Sequence, residues 1–470
     1  MLPNLQGGVA ALGILAGDRV VLYLANQWEW VVAYYAIARA GAVVIPANFL
    51  LSVDEVAFIA TDCKAVALIA PHDRCLSIQA LGNAQVEHFI HTRGNAVDKR
   101  SVTPRFKCFE ALLNHAPVAP VTRQPDDLFS IGYTSGTTGR PKGAMLSHRA
   151  VYMSTALTST LHVRHAGERV VSALPFSHVY GNIVLHACFM VGMTLITTSR
   201  FAADWALDAI QRHNATLFEG VPTMYYYMLG HEALASTDFS SLTRCTIGGQ
   251  NLPTHKHDEI TRVFGCPLLE LWGMTELAGP ALSHSPYVPD PSGSVGQALP
   301  GIEVRVVSDA NTSVEMQPGQ PGELLVRGPT IMSGYYGLAG ASAENLLEGG
   351  WLRTGDIATV DRHGYVHIVD RLKDMIITAG YKIYPAEIEQ VLSSHPGISM
   401  AAVASVQNEL KGEIAKAFVV LNPGVKLNEA QVLEHCRKEL AAYKVPKAVE
   451  FRDELPRTPS GKILRRCLRT

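Results

Sequence analysis

The densest chemistry in the chain is the run Tyr133, Thr134, Ser135, Gly136, Thr137, Thr138, Gly139, Arg140, Pro141, Lys142, Gly143. Glycines allow tight turns that aim successive backbone N–H groups at one point, hydroxyls add donors, and Lys142 adds positive charge. That combination suits a polyphosphate. The run follows an apolar stretch over residues 128–131, read as a strand, and precedes a helix opening near Ser147. It is not the Walker pattern, because Gly136 and Gly139 stand too close together and Lys142 is followed by Gly143 rather than Ser or Thr. It also lacks G-x-G-x-x-G, which argues against a dinucleotide site.

Such a loop needs elements to hold it. From Gly17 a turn feeds a buried strand over residues 20–24, followed by a helix over residues 29–40 and a strand over residues 42–46, a β-α-β unit. The alternation recurs in strands at residues 65–70 and 169–173, and in an amphipathic helix at 203–213 that leads into a strand at 215–218. It favours parallel sheets covered by helices. From Gly301 the short strands at residues 303–307, 322–327 and 366–369 predict a smaller β-rich subdomain. After Arg371 the chain starts afresh, with an apolar run at residues 375–377 and Pro385 suited to the first turn of a helix. Strands at 401–406 and 415–420 and a helix at 429–442 complete a small α+β unit. The expected fold class is α/β, with a large N-terminal domain over residues 1–371 and a small C-terminal domain over residues 372–470.

With 470 residues, 47% hydrophobic and 17% charged, the chain can bury a large core and is neither disordered nor fibrous. Lys and Arg total 40 against 42 Asp and Glu, so no whole-chain charge favours nucleic acid or an anionic membrane. The end of the chain, residues 437–470, is locally basic. Eight scattered cysteines without a C-x-x-C pair point to a reduced, cytoplasmic setting, and the start Met1, Leu2, Pro3, Asn4 has no basic, apolar leader. The apolar stretches 28–51 and 183–198 are interrupted by Glu29, Arg39, Pro46 and His186, and read as buried helices and strands rather than membrane spans.

Four further motifs accompany the glycine-rich run: Trp272-Gly273-Met274-Thr275-Glu276, Thr354-Gly355-Asp356, Asp370-Arg371-Leu372-Lys373-Asp374 and Pro459-Ser460-Gly461-Lys462. Together they make the sequence resemble the adenylate-forming superfamily, whose members include acyl-CoA synthetases, firefly luciferase and the adenylation domains of peptide synthetases. The motifs stand in the family's order and cover nearly the whole chain. The resemblance implies parallel sheets with helices and a β-rich subdomain in the large domain, and a small mobile domain carrying a catalytic lysine. Family members usually have a further leading segment before the first β-α-β unit, so this chain is expected to begin within it.

The resemblance also implies a reaction and its residues. A carboxylate attacks the α-phosphate of ATP, and the acyl-adenylate is then captured by a thiol such as that of CoA. Thr134, Ser135, Gly136, Thr137, Thr138, Gly139 and Lys142 would bind phosphates. Glu276 with Thr137 would hold Mg²⁺, a hard cation that wants oxygen ligands. Trp272, where the family more often has Tyr, would offer adenine a flat face that Gly248 and Gly249 let the backbone approach. Gln250, Gly273, Met274 and Thr275 belong to the same nucleotide site. Asp356 would accept two hydrogen bonds from the ribose diol, and Arg371 would contact the nucleotide. Lys462 would stabilise charge building at phosphorus. Lys373 falls at the hinge about which the small domain would swing, placing Gly380 beside the thiol tunnel. His178, in Pro175-Phe176-Ser177-His178-Val179-Tyr180-Gly181, would lie near the acyl carboxylate.

The candidate walls of the acid pocket, Val221, Pro222, Met224, Tyr225, Gly248, Gln250, Met274, Leu277 and Ala278, are uncharged. A diacid would want an Arg or Lys there, and an amino acid would want an acidic partner for its ammonium. The expected activity is therefore an acid:CoA ligase acting on a medium- or long-chain fatty acid or a similar apolar carboxylate. Its expected partners are that small acid and CoA, without nucleic acid or a membrane span; a homodimer is left open. The alternatives are a fatty-acyl-AMP ligase or amino-acid adenylation protein that loads a carrier protein, and a non-catalytic nucleotide-binding protein.

Overall fold

The computed structural model describes residues 1–82, 85–92, 105–134, 141–250, 252–288, 293–309, 311–378, 381–408, 412–456 and 463–468. Four sheets organise them. The first runs, edge to edge, through Phe106–Cys108, His88–Thr92, Ala67–Pro71, Arg19–Leu22, Val43–Pro46, Leu128–Thr134 and Lys142–Ser147. All neighbours are parallel except the last pair. Alternate side chains of its central strand serve different cores: Val20 and Leu22 face one, Val21 the other. Burial on both faces explains why these strands are near-continuous apolar runs.

The expected β-α-β unit is present as Arg19–Leu22, the helix Trp28–Arg39 and Val43–Pro46. In the interrupted apolar stretches the chain forms this helix and strand, and then the helix Val179–Val191 and the strand Thr194–Thr197. Among the described residues no helix is long and apolar enough to cross a membrane. The helix expected to open near Ser147 is found as His148–Leu161 with Ser147 as its N-cap, and between it and the glycine-rich run residues 142–147 form a strand, not expected from the sequence, that pairs antiparallel with Leu128–Thr134. The cause is a period of two: Ala144 and Leu146 are buried while Met145 is less so, and a bridge from Ala144 to Tyr335 occupies the strand's other edge.

The second sheet orders Gln297–Ala298, Gly279–Ser283, Leu268–Met274, Arg244–Gly248, Leu217–Gly220, Arg169–Ser172 and Thr194–Thr197. Its last five strands are parallel, and the other two run antiparallel to their neighbours. The third sheet is antiparallel, as expected of the β-rich segment, with Glu303–Val307, Gly322–Arg327, Trp351–Val360, Leu346–Leu347 and Val366–Arg371. Apolar residues of all three sheets share one core, which fixes the sheets relative to one another. The fourth sheet, from Ile376–Thr378 to Ala448–Phe451, packs the helices Pro385–Ser394 and Glu429–Glu439 around its own core.

A fully buried ion pair stitches the second sheet. Arg164 meets Glu219 at 2.8 Å, and Glu219 also accepts the Thr246 hydroxyl. Removing one buried partner strands the other charge in a low-dielectric interior. Arg164→Met should therefore destabilise the protein by about 3–5 kcal/mol, read as a lowered urea midpoint. Adding Glu219→Leu should restore most of that loss, and a double variant no more stable than the single one would refute this account.

Candidate active site

Three of the sheets converge on the turn that follows Leu268–Met274. Gly273 lies against the returning strand so closely that a Cβ there would meet the Gly279 carbonyl oxygen at 2.1 Å. Gly132 of the first sheet is equally constrained, since a Cβ would come within 2.6 Å of the Thr275 methyl group. Ala278 then takes a left-handed φ of 53° and reverses the chain into Gly279–Ser283. The reversal leaves Glu276 buried, and its backbone carbonyl accepts the Met332 N–H at 2.8 Å.

The Glu276 carboxylate is not alone. The Tyr335 hydroxyl donates to Glu276 Oε1 at 2.8 Å, and Lys142 Nζ stands 5.3 Å from the centre of the Tyr335 ring. Burial and the Glu276 charge both push the Tyr335 phenol above its ordinary pKa. Lys142 occupies one stem of the hairpin, opposite Thr134. The other stem is pinned by Tyr133, whose hydroxyl donates to Asp62 at 2.5 Å. Ser135, Gly136, Thr137, Thr138 and Gly139 lie outside the described residues, as do Gly380 and Lys462.

At the other end of the same motif the Trp272 indole N–H donates to Asp356 Oδ2 at 2.8 Å. Arg371, paired in register with Asp356 across two strands, brings its Nε to 3.0 Å from Oδ1. Asp356 is buried and Trp272 half-buried. The indole is thus the hydrogen-bond donor to Oδ2, whereas Oδ1 is buried, faces Arg371 as an ion pair and accepts no hydrogen bond among the described residues. Gly248 ends its strand under Leu271, and Gly249 and Gln250 follow in a bend.

A glycine-flanked hairpin with a lysine stem, a buried glutamate and an aspartate held by an indole are the features of a nucleotide-activating site. The chain matches the AMP-binding enzyme family over residues 6–336 and the family's C-terminal domain over residues 387–462. It belongs to the AMP-binding enzymes. It is 36% identical to a long-chain-fatty-acid–CoA ligase of Escherichia coli O157:H7 over 488 residues, covering 97% of this chain and 86% of that one. It is also 36% identical to a feruloyl-CoA synthase of an Amycolatopsis species over 466 residues, covering 98% and 90%. Among solved structures, the o-succinylbenzoate–CoA synthetase of Bacillus subtilis in complex with ATP and magnesium superposes with a TM-score of 0.83. That pair is 28% identical, with 99% of this chain and 92% of the other covered.

Within this AMP-binding enzyme, His178 caps the helix Val179–Val191, its Nδ1 accepting the Tyr180 N–H at 3.3 Å. A neutral ring so placed carries its proton on Nε2. His178 borders a small cavity of about 50 Å³ together with Tyr34, Ser130, Tyr133, Asn182, Thr275 and Ala278. Of the residues expected to wall the acid pocket, Tyr225 instead turns into the core. It donates to the Thr246 carbonyl and packs edge-on against Phe218 and Phe264. Leu277 is likewise core. Tyr335 was not among the expected residues: it lies 59 positions from Glu276, and only a Gly-Tyr-Tyr sequence marks it.

Lys373 sits in the short helix Leu372–Asp374 between the third and fourth sheets. Around it, Asp370 accepts the Ala386 N–H at 2.7 Å, and Arg465 reaches Asp370, Asp374 and Glu389. Burial, only partly offset by Arg465, pushes the Asp370 carboxyl up from 3.8 to about 6. Its folded pKa lies above the unfolded one, so its contribution is complete below about 3.8 and is lost as pH rises through about 6.

Two measurements follow from this geometry. The thermal midpoint of Asp370→Asn, relative to the unmodified protein, should rise between about pH 4 and about pH 6 and then level off; a difference independent of pH would refute the sign. Asp356→Ala should weaken ATP binding by about 10- to 100-fold, as expected for losing hydrogen bonds to a charged acceptor. Trp272→Phe, which keeps a ring but drops the donor, should cost less. Calorimetric titration decides between these outcomes and equal affinities.

Proposed function

We propose that the acid this enzyme activates is a medium- or long-chain fatty acid or a comparable apolar carboxylate. The reaction is the ATP-dependent, AMP-forming ligation of a carboxylic acid to CoA. The observation that carries the choice of acid is electrostatic. The buried arginines of the second sheet are already matched, Arg164 by Glu219 and Arg244 by Glu168 at 2.7 Å. Neither offers its charge to a second carboxylate, while the half-buried Val221 and Met274 supply uncharged surface at the ends of two strands of that sheet. The feruloyl-CoA synthase relative keeps aromatic acids in the test.

In the first step a carboxylate oxygen attacks the α-phosphorus, forming the acyl–phosphate bond as pyrophosphate leaves. Lys142 and Thr134 are assigned to the phosphates, together with Ser135, Gly136, Thr137, Thr138 and Gly139 of the sequence between them. Trp272, Gly248, Gly249, Gln250, Gly273, Met274 and Thr275 are assigned to adenine and its surroundings, and Asp356, braced by Arg371, to the ribose. Glu276 fits a hard cation: it is a buried carboxylate whose Oε1 is satisfied by a phenol and whose Oε2 accepts no hydrogen bond among the described residues. Mg²⁺ held there with Thr137 would neutralise phosphate charge. His178 is assigned to the acid carboxylate, and Lys462 to charge building at phosphorus.

In the second step the CoA thiolate attacks the acyl carbonyl and AMP leaves. We assign the division between domains to residues 371 and 372, Lys373 to the hinge and Gly380 to the thiol path. A cytoplasmic location accords with eight cysteines, none of them in a disulfide.

The test is pyrophosphate release with ATP, Mg²⁺ and a panel of fatty, aromatic, dicarboxylic and amino acids, each with and without CoA. Equal yields of AMP and acyl-CoA from apolar acids are expected, and a preference for a diacid or amino acid would overturn the choice. Lys462→Ala should abolish adenylate formation while ATP binding stays nearly intact; unaltered turnover would remove that residue from the chemistry.

A further inference from the structure

We propose that Tyr335 is a positioning residue that holds Lys142 and Glu276 near one another while keeping them from neutralising each other. The inference rests on the ATP-dependent reading above and adds a residue to it. A lysine and a buried carboxylate brought to one place would ordinarily pair directly, and the pair would present little charge to a polyphosphate or a cation. Here a phenol stands between them. Its O–H donates to Glu276 Oε1 at 2.8 Å, and its ring takes the Lys142 ammonium at 5.3 Å from the centroid. Among the described residues Lys142 is in no ion pair, and Glu276 Oε2 accepts no hydrogen bond. Both charges therefore stay available.

The segment that carries Tyr335 is itself fixed. Its N–H donates to Ser342 Oγ at 2.8 Å, and it bridges to Ala144. On either side, Ser333 donates to the Met145 carbonyl and Tyr336 to that of Gly143, each at 2.8 Å. The ring is thus registered to the strand that bears Lys142, and its hydroxyl to the turn that bears Glu276.

ATP binding measured by calorimetry without acid, so that nothing turns over, tests the role in excess Mg²⁺ and again in EDTA. Tyr335→Phe keeps the ring and removes the O–H; it should weaken binding about 10-fold in Mg²⁺, the scale of losing a group that orients a metal ligand, and leave binding in EDTA unchanged. Tyr335→Leu removes the ring face too and should weaken binding in both conditions. In a Glu276→Gln background the Mg²⁺-linked loss from Tyr335→Phe should disappear, which general loosening of residues 333–336 would not produce. If Tyr335→Phe fails to melt cooperatively, Tyr335→His, which restores an N–H donor on a smaller ring, is read on the same titrations. Its Mg²⁺-linked loss should then be smaller than that of Tyr335→Leu, and equal losses would overturn the role. Unchanged Mg²⁺-linked binding in Tyr335→Phe, or the same loss in both backgrounds, would also overturn it. If the unmodified protein binds no ATP in either condition, the ATP-dependent reading fails, and this inference with it.

Discussion

The turn over Thr275–Leu277 is the constraint on which the rest of the site depends. It leaves the end of the second sheet, wedges Thr275 against the first, and accepts a backbone hydrogen bond from Met332, beyond the third sheet's Gly322–Arg327 strand. Because all three sheets share a core, a shift of any one would displace the turn. That is a strong way to hold a carboxylate in place. Glu276 sits on backbone fixed from three sides, and only its side chain is left to meet a ligand.

Polar groups here are satisfied unevenly, and the unevenness separates structure from chemistry. Arg164, Glu219, Arg244 and Glu168 lie deep in the second sheet and match charge with charge, so their fields cancel at short range. Asp356 and Glu276 are also buried, but each faces at least one neutral donor, an indole N–H or a phenol O–H. A neutral donor orients a carboxylate without consuming its charge. Glu276 is thus held by a neutral hydrogen bond and Asp356 by an indole N–H together with the Arg371 guanidinium, whereas the sheet behind them matches buried charge with buried charge.

Most of the fold could be read from local pattern because its strands are short, apolar and separated by amphipathic helices. The helix expected at residues 203–213 is found as Ala203–Arg212, and the strands expected at 303–307 and 322–327 are found at those positions. What escaped depends on distant partners. The strand Lys142–Ser147 went unread because its pairing partners, Leu128–Thr134 and the segment near Tyr335, are not marked in its own residues. Tyr225 looked like a pocket wall because a tyrosine in the run Met224-Tyr225-Tyr226 carries no sign of which way it faces. Tyr335 gave no signal since its bond to Glu276 spans 59 residues. Motifs contiguous in sequence were readable; contacts made by folding were not.

The register of the third sheet ties the nucleotide site to the junction between domains. Asp356 and Arg371 are direct partners on adjacent strands, and Arg371 is the last residue of its strand before the short helix that carries Lys373. The guanidinium that braces Asp356 is therefore two residues from the proposed hinge, and Asp370, one residue before it, docks on the first turn of the small domain's helix at Ala386. Backbone rotation at Leu372–Asp374 would act on Arg371 from one side while the sheet restrains it from the other. Occupancy at Asp356 and orientation of the small domain would then share one strand end, which would couple the two if the small domain turns about the proposed hinge at Lys373.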